Sequence, residues 1–417
     1  MSEVRSKVMS EVRSKSRSEI MSEIISEVRS KLNDMKGETF DPTRVYLFWQ
    51  ALEQEFGPIF RKDMPGHPNM VFITNPEDVC AMFEATRLDP VRPGLTSLKK
   101  IREEQGEEWW RVRRRVQKPI TDPALVSRYL PAMDDVAKAF FLDSLYETEN
   151  VKLWQYFPTT SITRLKEAHG VFSEVALRAI EDTERALASC RREREEPRRL
   201  SLLETLLATP GLSRGDVLTF LVDLLATGID TTSHSVSHML YLLAKNPEVQ
   251  GRVIHEIDAE VGQPEHLSPE HIARLSYTRA VFRETLRIMP VGIGITRRLN
   301  RDTVLGGYLV PKGWQVVVPS MLVNHKDSIF PRASEFLPER FVRGSPLAPK
   351  HSYAFLPFSV GTRMCIGRRI AQQEIMCLFV RVLGEFTVDY KHEDIHLVNK
   401  LNYRPSHPLR FTFNDRA

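Results

Sequence analysis

The spacing of hydrophobic and polar positions changes after residue 36, and from there it predicts long helices joined by short strands. Ser213 can cap the longest helix and Pro247 closes it, while Pro290 ends the helix before the strands. Helices are predicted over 106–117, 213–244, 269–288 and 368–383, and strands over 69–74 and within 305–318. The predicted fold class is therefore mainly α with small β-sheets.

Residues 1–36 form a tail of low complexity that repeats in tetrads, beginning SEVR, SKVM, SEVR and SKSR at Ser2. A helix turns about 100° per residue, so a four-residue repeat drifts about 40° each time and its apolar residues hold no fixed face. The pattern predicts a disordered tail over 1–36 and a single domain over 37–417. A targeting segment is the alternative, because Ser, Arg and Lys abound, but five glutamates disfavour it.

Composition excludes several classes of protein. The net charge of +4 comes without a strongly clustered basic face, which argues against a nucleic-acid partner. Four scattered cysteines form neither a disulfide framework nor a zinc pattern, and they indicate a reducing compartment. The apolar runs fall short of the roughly 18 to 20 residues of a membrane span, so contact with a membrane would be peripheral. The charge run over 191–199 is predicted to be a solvated linker.

One cysteine, Cys365, stands between Gly361 and Gly367 just before the last predicted helix. A buried free thiol and a loop cysteine without a role are the ordinary explanations of a single cysteine. The two glycines point further, because they can take positive φ and let the backbone approach a flat cofactor. A thiolate is a haem-iron ligand, so this loop is a candidate haem site. Cys377, on the following helix, is expected in the core.

The loop Phe358 to Gly367 has the pattern Phe-x-x-Gly-x-Arg-x-Cys-x-Gly and resembles the haem-binding loop of the cytochromes P450. It departs from the commonest family form at Ser359, where glycine is usual. The resemblance implies the cytochrome P450 fold and haem b, iron protoporphyrin IX, with Cys365 on the iron. It also implies that Phe358 and Gly367 border the haem and that Arg363 pairs with a haem carboxylate.

Glu284 and Arg287 form a Glu-x-x-Arg pair within a predicted helix, for which an i,i+3 ion pair is the ordinary explanation. Their position adds meaning, since a Pro-Glu-Arg-Phe segment containing Arg340 lies between them and Cys365. In the cytochromes P450 such residues form a buried salt-bridged triad. The resemblance therefore implies that Glu284, Arg287 and Arg340 hold the Cys365 loop in place.

Polar residues and a glycine interrupt the apolar pattern of the longest helix at 227–232. A polar patch on its wet side is the ordinary explanation, but a mid-helix glycine costs about 1 kcal/mol, and threonines can bond back to preceding carbonyls and bend the helix. The segment resembles the oxygen-activation motif of the cytochromes P450, with Thr227 where Ala or Gly is usual. The resemblance implies that Asp230 and Thr231 are the catalytic acid and alcohol that deliver protons.

A Gly-x-x-Trp-x-x-x-Arg segment begins at residue 106 and, without the family, could be an ordinary basic amphipathic helix. It resembles the helix of the cytochromes P450 whose Trp and Arg hold a haem propionate. The resemblance assigns this role to Trp109 and Arg113, while Trp110 with Arg114 keeps the same spacing as a rival pair. Arg297 matches another propionate arginine of the family.

Two pairs of arginines resemble the mitochondrial-type branch of the cytochromes P450: Arg368 with Arg369 after the Cys365 loop, and Arg279 with Arg283 upstream. That branch uses cations in these regions to dock an acidic, adrenodoxin-like ferredoxin, and charge steering suits a transient electron-transfer encounter. A solvated basic helix face is the ordinary explanation. The resemblance also implies a mitochondrial, inner-membrane-associated location and a likeness to animal steroid, ecdysteroid or secosteroid hydroxylases.

Between residues 145 and 151 the chain passes almost directly from the helix after the Trp-Arg segment to the approach to the distal lid. The cytochromes P450 have further helices between these two points. About two helices are therefore expected to be missing, which would uncover a large apolar face. A real deletion, a splice variant and a faulty gene model are the alternatives.

The sequence thus predicts a haem-thiolate monooxygenase that inserts one oxygen atom of O2 into a C–H bond of a lipophilic, steroid-like substrate, with electrons from a ferredoxin. The first alternative is a haem-binding or misfolded pseudoenzyme that lacks turnover because of the missing segment. The second is peroxide-driven isomerase or lyase chemistry without a reductase, against which the Asp230–Thr231 pair argues.

Overall fold

The chain folds mainly into α-helices with short strands between them. The computed structural model describes residues 44–62, 69–87, 109–122, 160–193, 200–262, 264, 266–399 and 402–416, and of residues 109–110, 160–169 and 190–193 it describes the backbone alone. The chain divides after Val45, and residues 46–417 form one compact unit. The predicted tail over 1–36 and the predicted gap between 145 and 151 lie outside the described residues.

The helices and strands of the described residues occur in groups along the chain. The helices are α1 Val45–Phe56, α2 Pro76–Ala85, α3 Trp109–Thr121, α4 Thr160–Glu193, α5 Leu202–Leu207, α6 Arg214–Lys245, α7 Pro247–Glu260, α8 Pro269–Arg274, α9 Ser276–Ile288, α10 Ser320–Asn324 and α11 Arg368–Glu385. The strands are β1 Ile59–Arg61, β2 Met70–Ile73, β3 Gly294–Arg298, β4 Thr303–Leu305, β5 Tyr308–Val310, β6 Gln315–Pro319, β7 Phe386–Asp389, β8 Leu397–Asn399, β9 Tyr403–Pro405 and β10 Thr412–Asp415. Short 3-10 turns cover Pro338–Phe341, Ser352–Ala354 and Gly361–Arg363.

The longest predicted helix begins as its sequence suggests. The Ser213 hydroxyl accepts from the backbone N–H of Asp216 at 3.1 Å, and the Asp216 carboxylate accepts from the N–H of Ser213 at 2.7 Å. This capping box satisfies two of the free N–H groups at the start of α6. The helix then continues through the segment 227–232 without a break.

The helix predicted over 269–288 is in fact two helices, α8 and α9, separated at Leu275. The reason is a contact from a different helix. The Glu256 carboxylate of α7 accepts from the N–H groups of Tyr277 and Thr278 at 2.6 and 2.8 Å, so it caps a new helix start. The predicted linker over 191–199 also differs, because α4 includes residues 191–193 and the rest lies outside the described residues.

A four-stranded sheet has the order β1-β2-β6-β3, in which β2 and β6 are parallel and the other pairs antiparallel. Gly294 lets β3 approach β6, since an added Cβ would stand 2.5 Å from the carbonyl oxygen of Val318. The register pairs Arg297 with Val316, which fixes Arg297 on this sheet. Three two-stranded sheets pair β4 with β5, β7 with β10, and β8 with β9.

The largest hydrophobic core lies between α6, α7, α9 and α11. Its buried members include Leu243, Ile257, Leu286 and Phe379, one from each helix. Cys377 is fully buried in this core, as expected for an inert thiol. None of the helices that the structure describes is long and apolar enough to cross a membrane.

Candidate active site

Cys365 is exposed at the end of a loop that two backbone hydrogen bonds close. Its N–H donates to the carbonyl of Phe358 at 2.8 Å, and the N–H of Met364 donates to the carbonyl of Gly361 at 3.0 Å. Gly367 then caps α11. The loop therefore presents the thiol directly before the start of a helix.

Backbone conformation explains one glycine of this loop and corrects another. Gly361 has φ 73°, the left-handed region that glycine adopts without a steric cost. The expected positive φ at Gly367 is wrong, because an N-cap residue needs no left-handed backbone and Gly367 has φ −80°. Ser359 has φ 58° instead, although it carries a side chain. A Cβ added to Gly361 or Gly367 would meet no atom within 4 Å, so the loop leaves room for a flat group.

Arg113 reaches the loop from α3. Its Nη2 donates to the carbonyl of Met364 at 2.6 Å, next to the cysteine, and its Nε donates to Gln117 at 3.2 Å. The residue is buried, and burial lowers its pKa while the nearby Cys365 thiolate opposes that shift. Arg114 of the rival pair is exposed. The side chains of Trp109 and Trp110 lie outside the described part of the chain.

α3 is fastened to the first turn of α6. The Arg111 guanidinium donates to both carboxylate oxygens of Asp216, one of them at 2.7 Å, and to the carbonyl of Gly211 at 3.1 Å. This pairing lowers the pKa of the Asp216 carboxyl to about 2. A hydrophobic cluster joins the same two helices to the Cys365 loop; it contains Val112, Val116, Val217, Leu224, Ile366 and Ile370.

Arg297 approaches the loop from the sheet. It is 2% exposed, its guanidinium lies 5.1 Å from the ring centroid of Phe83, and its Nη1 donates to the carbonyl of Thr296 at 2.9 Å. Its Nη2 donates to the hydroxyl of Ser359 at 3.1 Å. One indication of this contact was visible in the sequence: a serine stands at a position where glycine is usual in the family that the chain resembles.

The other predicted loop residues lie at its centre and base. Arg363 is half-buried in the turn Gly361–Arg363. Phe358 packs on Phe282 of α9, with 6.4 Å between ring centroids. The loop is thus seated on α9, the helix that carries Glu284.

Glu284, Arg287 and Arg340 meet in the interior, and all three side chains are 0% exposed. Arg287 donates to both carboxylate oxygens of Glu284, at 2.8 and 2.7 Å, and Arg340 Nε lies 3.3 Å from Oε1. The N–H of Leu337 also donates to this oxygen, at 3.0 Å. Burial lowers the pKa of Arg340.

The remaining N–H groups of the two arginines bind main-chain carbonyls. Those of Arg287 reach Asn324, Ala333 and Glu335, and those of Arg340 reach Pro331 and Arg332, at 2.6–3.0 Å. A buried ion pair is favourable only when such hydrogen bonds satisfy its remaining donors. The triad therefore ties α9 to the segment 324–340 that precedes the loop.

Asp230 and Thr231 lie in the middle of α6, where their side chains have different partners. The hydroxyl of Thr231 donates to the carbonyl of Thr227 at 2.8 Å. The Asp230 carboxylate accepts from Nδ2 of Asn402, between β8 and β9, at 2.7 Å. His234 Nδ1 lies 2.7 Å from the carbonyl oxygen of Asp230 and 3.4 Å from its Oδ1. Asn402 had no signal in the sequence, because its contact spans 172 residues.

The middle of α6 is open to solvent. Ile229 is 50% exposed, and Ala226 and Thr227 are exposed beside it. A Cβ added to Gly228 would meet no atom within 4 Å. The acid and alcohol therefore lie beside exposed side chains rather than in a packed core.

The four arginines predicted to dock a partner lie on α9 and at the start of α11. Arg279 donates to the carbonyls of Ile272 and Ala273 at 3.1 and 2.6 Å, which caps the end of α8. The Arg283 guanidinium lies over the ring of Phe341 at 4.4 Å. Arg279 and Arg283 are nevertheless exposed, whereas Arg368 and Arg369 are half-buried.

These residues fit haem. Gly361 and Gly367 leave room beside the exposed thiol. Arg113 reaches the loop from α3, and Arg297 reaches it from β3. Their two positive charges suit the two carboxylates of haem. A soft thiolate is also the donor that a haem iron takes from cysteine. Among the described residues, no group of three or more His, Cys, Asp or Glu could hold a different metal ion.

Comparisons with known proteins agree with this fit. Residues 143–413 match the family model described as Cytochrome P450. The chain is 28% identical to cytochrome P450 302a1, mitochondrial, of Drosophila melanogaster, over 84% of this chain and 85% of the relative. It is 26% identical to cytochrome P450 CYP12A2 of Musca domestica over 91% and 87%, and 27% identical to cytochrome P450 10 of Lymnaea stagnalis over 90% and 81%.

The alignment lengths also show that this chain is shorter than its relatives within the matched region. For the Drosophila protein, 84% of 417 residues, about 350, align over 430 positions, so about 80 positions have no counterpart here. The same comparison for the Musca protein, with 91% of the chain over 474 positions, leaves about 95. With the thiol loop, the two arginines and the family match in agreement, the chain belongs to the cytochrome P450 family, and its relatives are of the mitochondrial-type branch.

Proposed function

We propose that this cytochrome P450 holds its haem through Cys365. Members of the family are haem monooxygenases, so O2 and an organic substrate are the expected reactants. The observation that carries the proposal is the hydrogen bond from Arg113 to the carbonyl of Met364, because it brings a buried cation to the residue before the thiol. When bound, haem with a thiolate ligand supplies O2 activation, since the thiolate favours O–O cleavage.

The remaining loop residues orient the cofactor in this proposal. Arg113, Arg297 and Arg363 pair with the haem carboxylates, as charge-assisted hydrogen bonds favour. Trp109 contributes a further contact to a carboxylate, and Phe358 and Gly367 border the haem face. The Glu284, Arg287 and Arg340 triad acts through structure, because it fixes the segment leading into the loop.

Asp230 and Thr231 are the proposed proton donors. An adjacent carboxyl and hydroxyl, beside Gly228, where an added Cβ would meet no atom within 4 Å, would hold and deliver protons for the O2 chemistry that haem supplies when bound. In the structure the Asp230 carboxylate is held by Asn402 and the Thr231 hydroxyl by the helix backbone. Each must leave or share its present partner when it delivers a proton.

The proposed substrate is lipophilic and steroid-like. Support comes from the apolar residues Ala226 and Ile229 exposed beside the acid, which suit a ligand with few polar groups. Titration of the haem-loaded protein with sterols should give a blue shift of the Soret band. A flat titration with every sterol, but a shift with fatty acids, would contradict the steroid class.

The cofactor assignment is tested by the spectrum of the reduced, CO-bound protein. Wild type and the control Cys80→Ser should show the red-shifted Soret band of a thiolate ligand, whereas Cys365→Ser should lose it. The control removes a half-buried thiol that belongs to α2 and not to the loop. A band that persists in Cys365→Ser would contradict the assignment.

We also propose an adrenodoxin-like ferredoxin as electron donor and the mitochondrion as location, on the likeness to the relatives named mitochondrial. Arg279, Arg283, Arg368 and Arg369 would steer the acidic partner, so Arg369→Glu should slow reduction by ferredoxin about tenfold at low salt. Reduction by dithionite should stay unchanged, which separates docking from damage to the haem site. Import of the full chain into isolated mitochondria tests the location.

A second candidate function is haem binding without turnover. The roughly 80 positions without a counterpart in this chain favour it. In this case the protein would show the thiolate-type band and accept ferredoxin electrons, yet release them as peroxide without an oxygenated product. Detection of any hydroxylated sterol by mass spectrometry would exclude it.

A further inference from the structure

Ser359 occupies a strained position on the Cys365 loop. Its φ of 58° lies in the left-handed region, where a side chain costs energy and glycine does not. The backbone is held there, because the N–H of Ser359 donates to the carbonyl of Leu356 at 3.0 Å, and the preceding carbonyl, that of Phe358, accepts from Cys365. Because this conformation costs energy, a favourable contact of the side chain is expected to offset it.

That contact is Arg297. The serine hydroxyl accepts from Nη2 of Arg297 at 3.1 Å, and Arg297 is almost completely buried between the sheet and the ring of Phe83. Glycine at 359 would have the favourable backbone but could not offer this acceptor. The side chain at 359 therefore adds a link between β3 and the loop.

The two arginines at the loop, Arg113 and Arg297, differ in the kind of group that anchors them. Arg113 is anchored by a main-chain carbonyl, that of Met364, which any residue would supply. Arg297 is anchored on the loop by a side chain, so the identity of residue 359 decides whether the anchor exists. A hydrogen bond from a charged donor is stronger than a neutral one, and it also restricts the direction of the guanidinium.

We propose that Ser359 is a positioning residue that orients Arg297 towards a carboxylate of the haem. The proposal rests on the proposed function, because it takes the Cys365 loop to be the haem site. In this role Ser359 acts through Arg297, and its backbone remains strained while its hydroxyl makes this contact.

The test separates backbone strain from orientation. Ser359→Gly removes the strain and the hydroxyl together, and because these two changes have opposite effects on stability, the apoprotein should unfold within a few degrees of wild type. The same variant should transfer haem to apomyoglobin about tenfold faster than wild type, as loss of a charged hydrogen bond predicts. Ser359→Asn should restore the wild-type transfer rate, because Asn tolerates the left-handed region and its amide oxygen can accept.

Two further variants complete the design. Asn69→Gly makes the same change to glycine at another left-handed residue, with φ 60°, and should leave haem transfer unchanged. In an Arg297→Ala background, Ser359→Gly should add no further acceleration, since the two residues act through one contact.

The outcomes are distinct. A wild-type transfer rate in Ser359→Gly, or an equal acceleration with and without Arg297, would overturn the proposal and leave only a structural serine. Absence of the thiolate-type band in wild type would instead refute the proposed haem site itself. The transfer rates and unfolding temperatures require neither a substrate nor an electron donor.

Discussion

The two sides of the proposed haem site are held in different ways. On the Cys365 side, Glu284, Arg287 and Arg340 are fully buried, and hydrogen bonds to the triad tie α9 to the segment before the loop. On the α6 side, Ile229 is half exposed beside Asp230 and Thr231. The thiol is therefore fixed by a buried polar network, whereas the proposed proton donors stand on an open stretch of helix.

α6 is nevertheless fastened at both ends. Near its start, Asp216 pairs with Arg111 of α3. Towards its end, the fully buried His238 lies with Nδ1 3.0 Å from the carbonyl oxygen of Met289. The contacts at both ends of α6 do not involve its exposed middle, so changes there are expected to affect turnover more than the proposed haem binding.

The largest effect should come from the buried triad. Arg340→Ala leaves the Glu284 carboxylate short of one cation in the interior, which should reduce the free energy of unfolding by about 3–5 kcal/mol. The midpoint of urea denaturation measures this loss. The control Arg178→Ala breaks an exposed i,i+4 pair with Glu174 and should cost less than about 0.5 kcal/mol. Equal losses of unfolding free energy in Arg340→Ala and Arg178→Ala would contradict the contrast between the buried triad and an exposed ion pair.

The next effect tests the start of α6. Asp216→Asn removes the charge that Arg111 binds and should cost about 1.5–3 kcal/mol. Because the wild-type pKa is lowered to about 2, this stabilisation is present above the unfolded pKa of about 3.9 and is lost as the pH falls towards 2. The urea midpoints of wild type and Asp216→Asn should therefore differ more at pH 7 than at pH 3. The exposed pair of Asp182 with Arg185 provides the control variant Asp182→Asn.

The end of α6 should also lose stability as the pH falls, but the cause there is the burial of a histidine rather than an ion pair. Burial lowers the pKa of His238 to about 3, so between this value and the unfolded pKa of about 6.5 the unfolded chain binds the proton first. Stability should fall by up to about 1.4 kcal/mol per unit as the pH drops below 6.5. His238→Asn, whose amide can still donate to Met289, should lack this slope between pH 6.5 and 5. A parallel slope in both proteins would rule the explanation out.

The smallest effect should lie in the exposed middle of α6. Ile229→Ala should change the free energy of unfolding by less than about 1 kcal/mol, because half of the side chain is already in water. Leu243→Ala, on the same helix but fully buried, should cost about 2–5 kcal/mol. Comparable losses at the two positions would mean that the middle of α6 is covered in solution.

Local signals in the chain were sufficient for much of the fold. Ser213 and Pro247 marked α6, and the apolar period marked α11, because caps and hydrophobic faces act over a few residues. The division between α8 and α9 could not be predicted, since the Glu256 carboxylate that caps α9 comes from α7. The expected left-handed backbone is confirmed at Gly361 but not at Gly367, which takes the ordinary φ of an N-cap residue, and it also occurs at Ser359, where no glycine suggested it.

The groups available for chemistry could be read from the chain alone: a thiol between glycines, an acid next to a hydroxyl, and the arginines at their spacings. Which of these groups meet depends on the packing of distant segments. Arg113 reaches Met364 across 251 residues, Arg297 reaches Ser359 across 62, and Asn402 reaches Asp230 across 172. Contacts of this length depend on how helices and strands pack, and no local pattern in the chain encodes them.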